Sequence, residues 1–201
     1  VTIPASTAAT MESDSGYELT VEADVATVTL NNEAMKAVQS AAETDKDITI
    51  EIKKQTATAD SSNIYSVTVK ADGQDILSAG NAPADTEITI TVPAPANASN
   101  VYVWLMHHDG TAWKKVSQVG GALTPDNEKK VTFITPHLSD YALYTTEQEG
   151  DYEATYTDSD GNAQPTTLQD AITNVKSGGT VTLLKDVTVE NTIILNDNKA
   201  L

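Results

Sequence analysis

The chain reads as a mainly β protein: a β-sandwich with one short inserted helix, then a smaller module of short strands behind a helix of its own. Three observations predict this. Apolar and polar residues alternate with period two in many short runs, spaced roughly 8–12 residues apart. Thr and Ala dominate the sequence, while Phe occurs once, and the branched Cβ of Thr packs well on a pleated surface. Turn signals built on Gly, Asp and Asn separate the runs.

The first module is expected over residues 1–147. Residues 18–21 and 26–30 alternate as half-buried strands do. Asn31 or Asn32 then caps a short helix in which Ala34, Val38 and Ala41 share one face. Ile48, Ile50 and Ile52 form the next alternation. Residues 64–69 and 88–92 follow, with turns at Asp72-Gly73 and Gly80-Asn81. Four more strands are predicted over 101–106, 113–119, 131–134 and 141–144, with turns at Asp109-Gly110, Gly120-Gly121 and 124–127.

A polar, charged stretch at 147–150 marks the boundary, and the second module is expected over 148–201. Tyr152, Ala154 and Tyr156 alternate into an Asp158–Asn162 turn. Thr167 and Asp170 are spaced as a capping box. Leu168, Ala171, Ile172 and Val175 then form one helical stripe, which Gly178-Gly179 ends. Residues 180–184, 187–189 and 192–195 read as three short strands, close enough to be successive faces of a solenoid coil.

Charge narrows the function. The formal charge is −17 and all twelve basic residues are Lys. Phosphate-backbone binding needs clustered cations, and base reading leans on Arg, so nucleic acid is excluded as a partner. An anionic membrane surface is disfavoured for the same reason. No apolar run approaches the ~18 residues of a membrane span, so membrane insertion is not expected. Cysteine is absent, leaving core burial in place of disulfides. Val1 is not an initiator Met, and the 196–201 stretch ends in mid-pattern. The chain is therefore expected to be a piece of a longer protein.

Two stretches carry a resemblance. The run from Leu168-Gln169-Asp170-Ala171-Ile172 through Gly178-Gly179-Thr180-Val181-Thr182-Leu183-Leu184-Lys185-Asp186-Val187 resembles the opening of right-handed parallel β-helix domains of the pectin-lyase-like fold. These occur in large surface proteins of Gram-positive gut bacteria. There the helix caps the solenoid and the strands begin its first coils, which implies a truncated β-helix start here. Val1-Thr2-Ile3-Pro4, Ala26-Thr27-Val28-Thr29-Leu30 and above all the 131–143 stretch resemble β-sandwich domains found beside S-layer-homology or β-helix regions. The resemblance implies an extracellular, cell-surface location and transfers no catalytic residue. It also brings in polysaccharide lyases, whose acids, Lys or Arg lie on later coils of a complete solenoid.

Candidate chemistry is sparse. His107 and His108 are neighbours on a strand and point to opposite faces, so they do not chelate one metal, and His137 is read with them as a surface or loop residue. His137, Ser139 and Asp140 have the composition of a triad without a Gly-x-Ser-x-Gly turn, and Ser139 and Asp140 are read as starting a strand. Asp158, Asp160 and Asn162 resemble the first half of a calcium loop, although Gln169 stands where an EF-hand has its bidentate Glu. A tight turn explains the same residues. Tyr102, Trp104 and Met106 alternate with apolar neighbours, as in a central strand covered on both faces. The other reading puts Tyr102, Trp104 and Trp113 on an open face where aromatic rings stack on sugars.

The expected function is a non-catalytic structural spacer of a secreted bacterial surface protein. The alternative is a carbohydrate-binding or adhesin module whose partner is a cell-wall, host or dietary polysaccharide. A polysaccharide-lyase fragment comes third. No cofactor is expected, and an exposed last strand offers an edge through which two chains could pair as a dimer.

Overall fold

A computed structural model describes residues 1–8, 18–42, 46–55, 63–79, 81–158 and 161–188. In chain order these form β1 (Thr2–Ile3), α1 (Ala5–Ala8), β2 (Leu19–Ala23), β3 (Ala26–Leu30), α2 (Asn32–Ala42), β4 (Ile48–Gln55), β5 (Ile64–Ala71) and β6 (Gln74–Asp75). Then come β7 (Ile88–Pro93), β8 (Tyr102–His108), β9 (Trp113–Gln118), β10 (Lys130–Thr135) and β11 (Asp140–Tyr144). The last group is β12 (Ala154–Thr157), β13 (Ala163–Thr166), α3 (Leu168–Asn174) and β14 (Val181–Leu183). The protein is mainly β, and every ladder between these strands is antiparallel.

The larger sheet runs β1-β4-β5-β11-β8-β9, with β6 also on β5, and the smaller runs β10-β7-β3-β2. Period-two patterning decides which face each strand buries. On β3, Ala26, Val28 and Leu30 point inward while Thr27 and Thr29 stay partly exposed. Ile88, Ile90 and Val92 of β7 and Val131 and Phe133 of β10 do the same. They meet Ile48, Ile50, Val67, Val69, Val103, Tyr141 and Leu143 of the larger sheet in one continuous buried cluster. At about 1.5–3 kcal/mol for each large side chain, burial in this cluster is the main stabilising term.

Helix α2 closes one side of that cluster. Asn31 Oδ1 accepts the Ala34 N–H at 3.0 Å, an N-cap interaction that satisfies one of the free amides of the first turn. Ala34, Met35, Val38 and Ala42 are buried. Ala41, expected on the inner face, is only partly buried and packs at the rim. The Asp72-Gly73 turn has φ of 50° and 77°, the left-handed pair that a two-residue hairpin turn requires.

Residues 154–183 form a separate three-stranded sheet in the order β13-β12-β14. The expected coil is not shown among the described residues. Strand β12 pairs antiparallel with both neighbours, whereas stacked solenoid coils pair in parallel. The cause is local. The tight turn after β12 folds β13 back beside it, and β14 returns along its other edge after α3. Residues 187–188 are not strand. The predicted strand at 192–195 lies outside the described residues, as does Gly80 of the predicted Gly80-Asn81 turn.

Candidate functional site

The outer face of the larger sheet holds the aromatic residues singled out in the sequence. Val101 and Val103 of the β8 segment point into the main core. Trp104 and Met106 point the other way and join Ile64, Ala142 and Tyr144 in a second buried cluster, with Tyr102 and Trp113 packed against it. The strand is thus apolar on both faces because both are covered. The register changes at Leu105/Met106, where Val116 is an extra residue on β9, a bulge that increases local twist at this edge.

Trp104 is only 6% exposed. Its cover includes the chain's own connection into the second sheet. A Cβ on Gly150 would lie 3.3 Å from Trp104 Cζ3 and 3.3 Å from the Val116 carbonyl, so glycine permits this approach. The next residue fastens the connection to the sheet edge. Asp151 N–H donates to the Lys115 carbonyl at 2.7 Å, and Lys115 N–H donates to Asp151 Oδ2 at 2.6 Å. Lys185 Nζ donates to the Gly150 carbonyl at 3.1 Å, and the Tyr152 ring meets His107 edge-on at 6.5 Å.

This arrangement separates the three sugar-stacking candidates. Trp104 lies under cover, with its Nε1 buried and without a hydrogen-bond partner. Tyr102 and Trp113 keep part of their surface open. Trp113 has His108 edge-on at 5.0 Å, and Lys115 Nζ sits 5.6 Å above the Tyr144 ring, within cation–π range.

The remaining candidates are dispersed. His107 and His108 are exposed at the end of β8, and both act electrostatically on Asp140. Asp140 accepts a hydrogen bond from Ser66, and burial raises its pKa. His137 lies in the turn before β11. Burial lowers its pKa and leaves Nδ1 without a partner.

Asp158 acts as a turn acceptor. Its Oδ1 takes the Asn162 N–H at 2.9 Å and its Oδ2 the Gln164 amide at 2.7 Å. Gly161 follows with φ of 86°. Asp160 lies outside the described residues. Among the described residues no group of three or more His, Cys, Asp or Glu is placed to hold a metal ion, and no helix is long and apolar enough to cross a membrane. No protein-family model matches the chain, and no curated protein or solved structure matches it.

Proposed function

We propose that the chain is a non-catalytic structural spacer of a secreted bacterial surface protein. In this reading residues 1–147 are a β-sandwich, and residues 148–201 are the cap and first coils of a longer β-helix. The observation that carries it is the two-way clamp between Asp151 and the Lys115 backbone. A spacer transmits reach only if its joints are stiff. Here the connection is hydrogen-bonded to a sheet edge and packed on an indole, where a free linker would be solvated on all sides. The acidic, Arg-free composition suits a solvent-exposed surface outside the cell.

Backbone 15N relaxation tests the reading. One common correlation time across 18–147 and 152–188 is the expected result. Two independent correlation times would remove the stiff joint, and the spacer reading with it.

A second reading, a carbohydrate-binding or adhesin module, is favoured by the partly open rings of Tyr102 and Trp113. Its test is quenching of Trp emission by cell-wall, host or dietary polysaccharides, lost in Trp113→Ala. Self-association would use the edge of β14, where Leu183 is 55% exposed.

A further inference from the structure

Away from the aromatic cluster, the far edge of β5 changes partners and leaves an opening. Val67 N–H donates to the Ser139 carbonyl at 3.1 Å, and Ile76 N–H donates to the Val69 carbonyl at 3.0 Å. Leu138 N–H in turn donates to the Leu77 carbonyl at 2.7 Å. These three bonds join three chain segments into a closed ring around a hollow of about 180 Å³. The ring is stapled further by Asn81, whose Nδ2 reaches the Asp75 carbonyl at 3.0 Å and Ser78 Oγ at 3.1 Å.

Oxygen makes up the polar side-chain lining: the hydroxyls of Ser66, Thr68, Ser78 and Ser139 and the carboxylates of Asp75 and Asp140. Thr68 Oγ1 is buried with no hydrogen-bond partner, which is costly unless something else satisfies it. Asp140 carries the raised pKa of a carboxylate short of solvation. Among the described residues no lysine lines the hollow. Lys70 stands cross-strand from Asp75 and Lys53 from Ser66, so the two carboxylates are partly balanced and a neutral ligand is favoured over a charged one.

The two acids stand at opposite ends. Asp75 is in register with Lys70 and Asp140 with Ser66, so four residues of β5, roughly 13 Å of strand, separate them. That span suits a molecule rather than an ion, because a calcium ion draws its oxygens to about 2.3–2.6 Å. Carboxylates only accept hydrogen bonds, so the matching ligand presents donors at both ends.

We propose that this hollow binds one neutral sugar unit, with Asp75 and Asp140 accepting from its hydroxyls at either end and Thr68 Oγ1 gaining a partner. The site is independent of the spacer reading and shares no residue with the Tyr102 and Trp113 surface.

The test is a 15N-edited NMR titration of the full chain with glucose, galactose, mannose and N-acetylglucosamine, with glucuronate and Ca²⁺ run in parallel. The expected result is saturable shifts at the Thr68, Ser78 and Asp140 amides with at least one neutral sugar, and weaker binding of glucuronate. Asp75→Asn and Asp140→Asn should each weaken binding by about tenfold, the usual scale for losing a charge-assisted hydrogen bond. Asp75 is exposed, and Thr68→Val keeps a branched strand-former. Both variants therefore test the site even where Asp140→Asn disturbs folding. Three results would overturn the proposal: no saturable shift with any neutral sugar, shifts there with Ca²⁺ alone, or sugar affinity unchanged in both Asp75→Asn and Thr68→Val.

Discussion

Tyr141 Oη donates to the His137 carbonyl at 2.6 Å, reaching back four residues across the corner that leads into β11. The same hydroxyl lies 3.0 Å from Thr135 Oγ1, which donates to the His137 carbonyl at 2.9 Å. Tyr141 is fully buried, and its ring packs on Phe133 at 5.2 Å. One side chain therefore fixes the angle between β10, in the smaller sheet, and β11, in the larger one. The arrangement is that of a tyrosine corner, as found where strands cross between two sheets.

Removing that hydroxyl alone should cost stability without changing the fold. Tyr141→Phe keeps the ring against Phe133 but leaves the His137 carbonyl with one donor fewer. A loss of about 1–3 kcal/mol is expected in urea unfolding, with an unchanged m-value. A loss within error of zero would mean that the corner is held by packing alone.

Alkaline pH should unfold the chain through its buried phenols. Burial raises the pKa of Tyr65 and strongly raises that of Tyr141. Groups raised in the folded state contribute stability that is complete below their unfolded value and lost as pH rises toward the folded one. Stability should therefore hold up to the ordinary tyrosine value of 10.0 and decline above it. Tyr141→Phe, though less stable at neutral pH, should show a shallower alkaline decline. Urea midpoints measured from neutral to strongly alkaline pH decide this, and equal slopes in both proteins would contradict it.

Helix α3 should depend on its cap more than on its length. Thr167 Oγ1 accepts the Asp170 N–H at 3.2 Å. The Leu168 N–H goes to Glu153 Oε2 at 2.9 Å, a carboxylate from the chain just before β12. The expected capping box is thus shared between one local and one distant residue. Thr167→Ala should destabilise the 154–183 sheet by about 1 kcal/mol, and faster amide exchange at Ala171 and Val175 should reveal it.

Most strands of the two larger sheets were legible because only one face is buried, which writes period two into the residues. Ile48, Ile50 and Val28, Leu30 are clear examples. β1 and β6 were not, since two residues cannot express a period and their pairing is set by neighbours. The helix at 32–42 was readable from its Asn cap and its small apolar stripe. The antiparallel pairing of β12 with β14 was not, because short Thr- and Val-rich strands look alike in either direction. At the candidate site, the alternation around Trp104 announced a strand covered twice, but nothing nearby named Gly150 and Asp151 as part of its cover. The hollow beside β5 was equally silent. Its serines and aspartates come from three separate segments, and only the change of partner along β5 brings them together.

The contact between Gly150 and Trp104 gives the sharpest test of the joint. A methyl group at position 150 would press on Trp104 Cζ3 and on the Val116 carbonyl, each at 3.3 Å. Backbone on one side and a packed indole on the other leave little room to yield. Gly150→Ala should therefore push the connection off the sheet by a few tenths of an ångström, lengthen the Asp151–Lys115 hydrogen bonds and let solvent reach the indole. Asp151→Ala attacks the same joint from its polar side, removing the acceptor of the Lys115 N–H. Both variants should shift Trp emission to the red and increase its quenching by acrylamide, while Tyr141 and the main core stay protected from exchange. If emission moves in neither variant, Trp104 is shielded by other parts of the chain and the joint is not what covers it. If both variants move emission yet the two sheets still tumble as one body, the stiffness resides in contacts other than the Asp151 clamp.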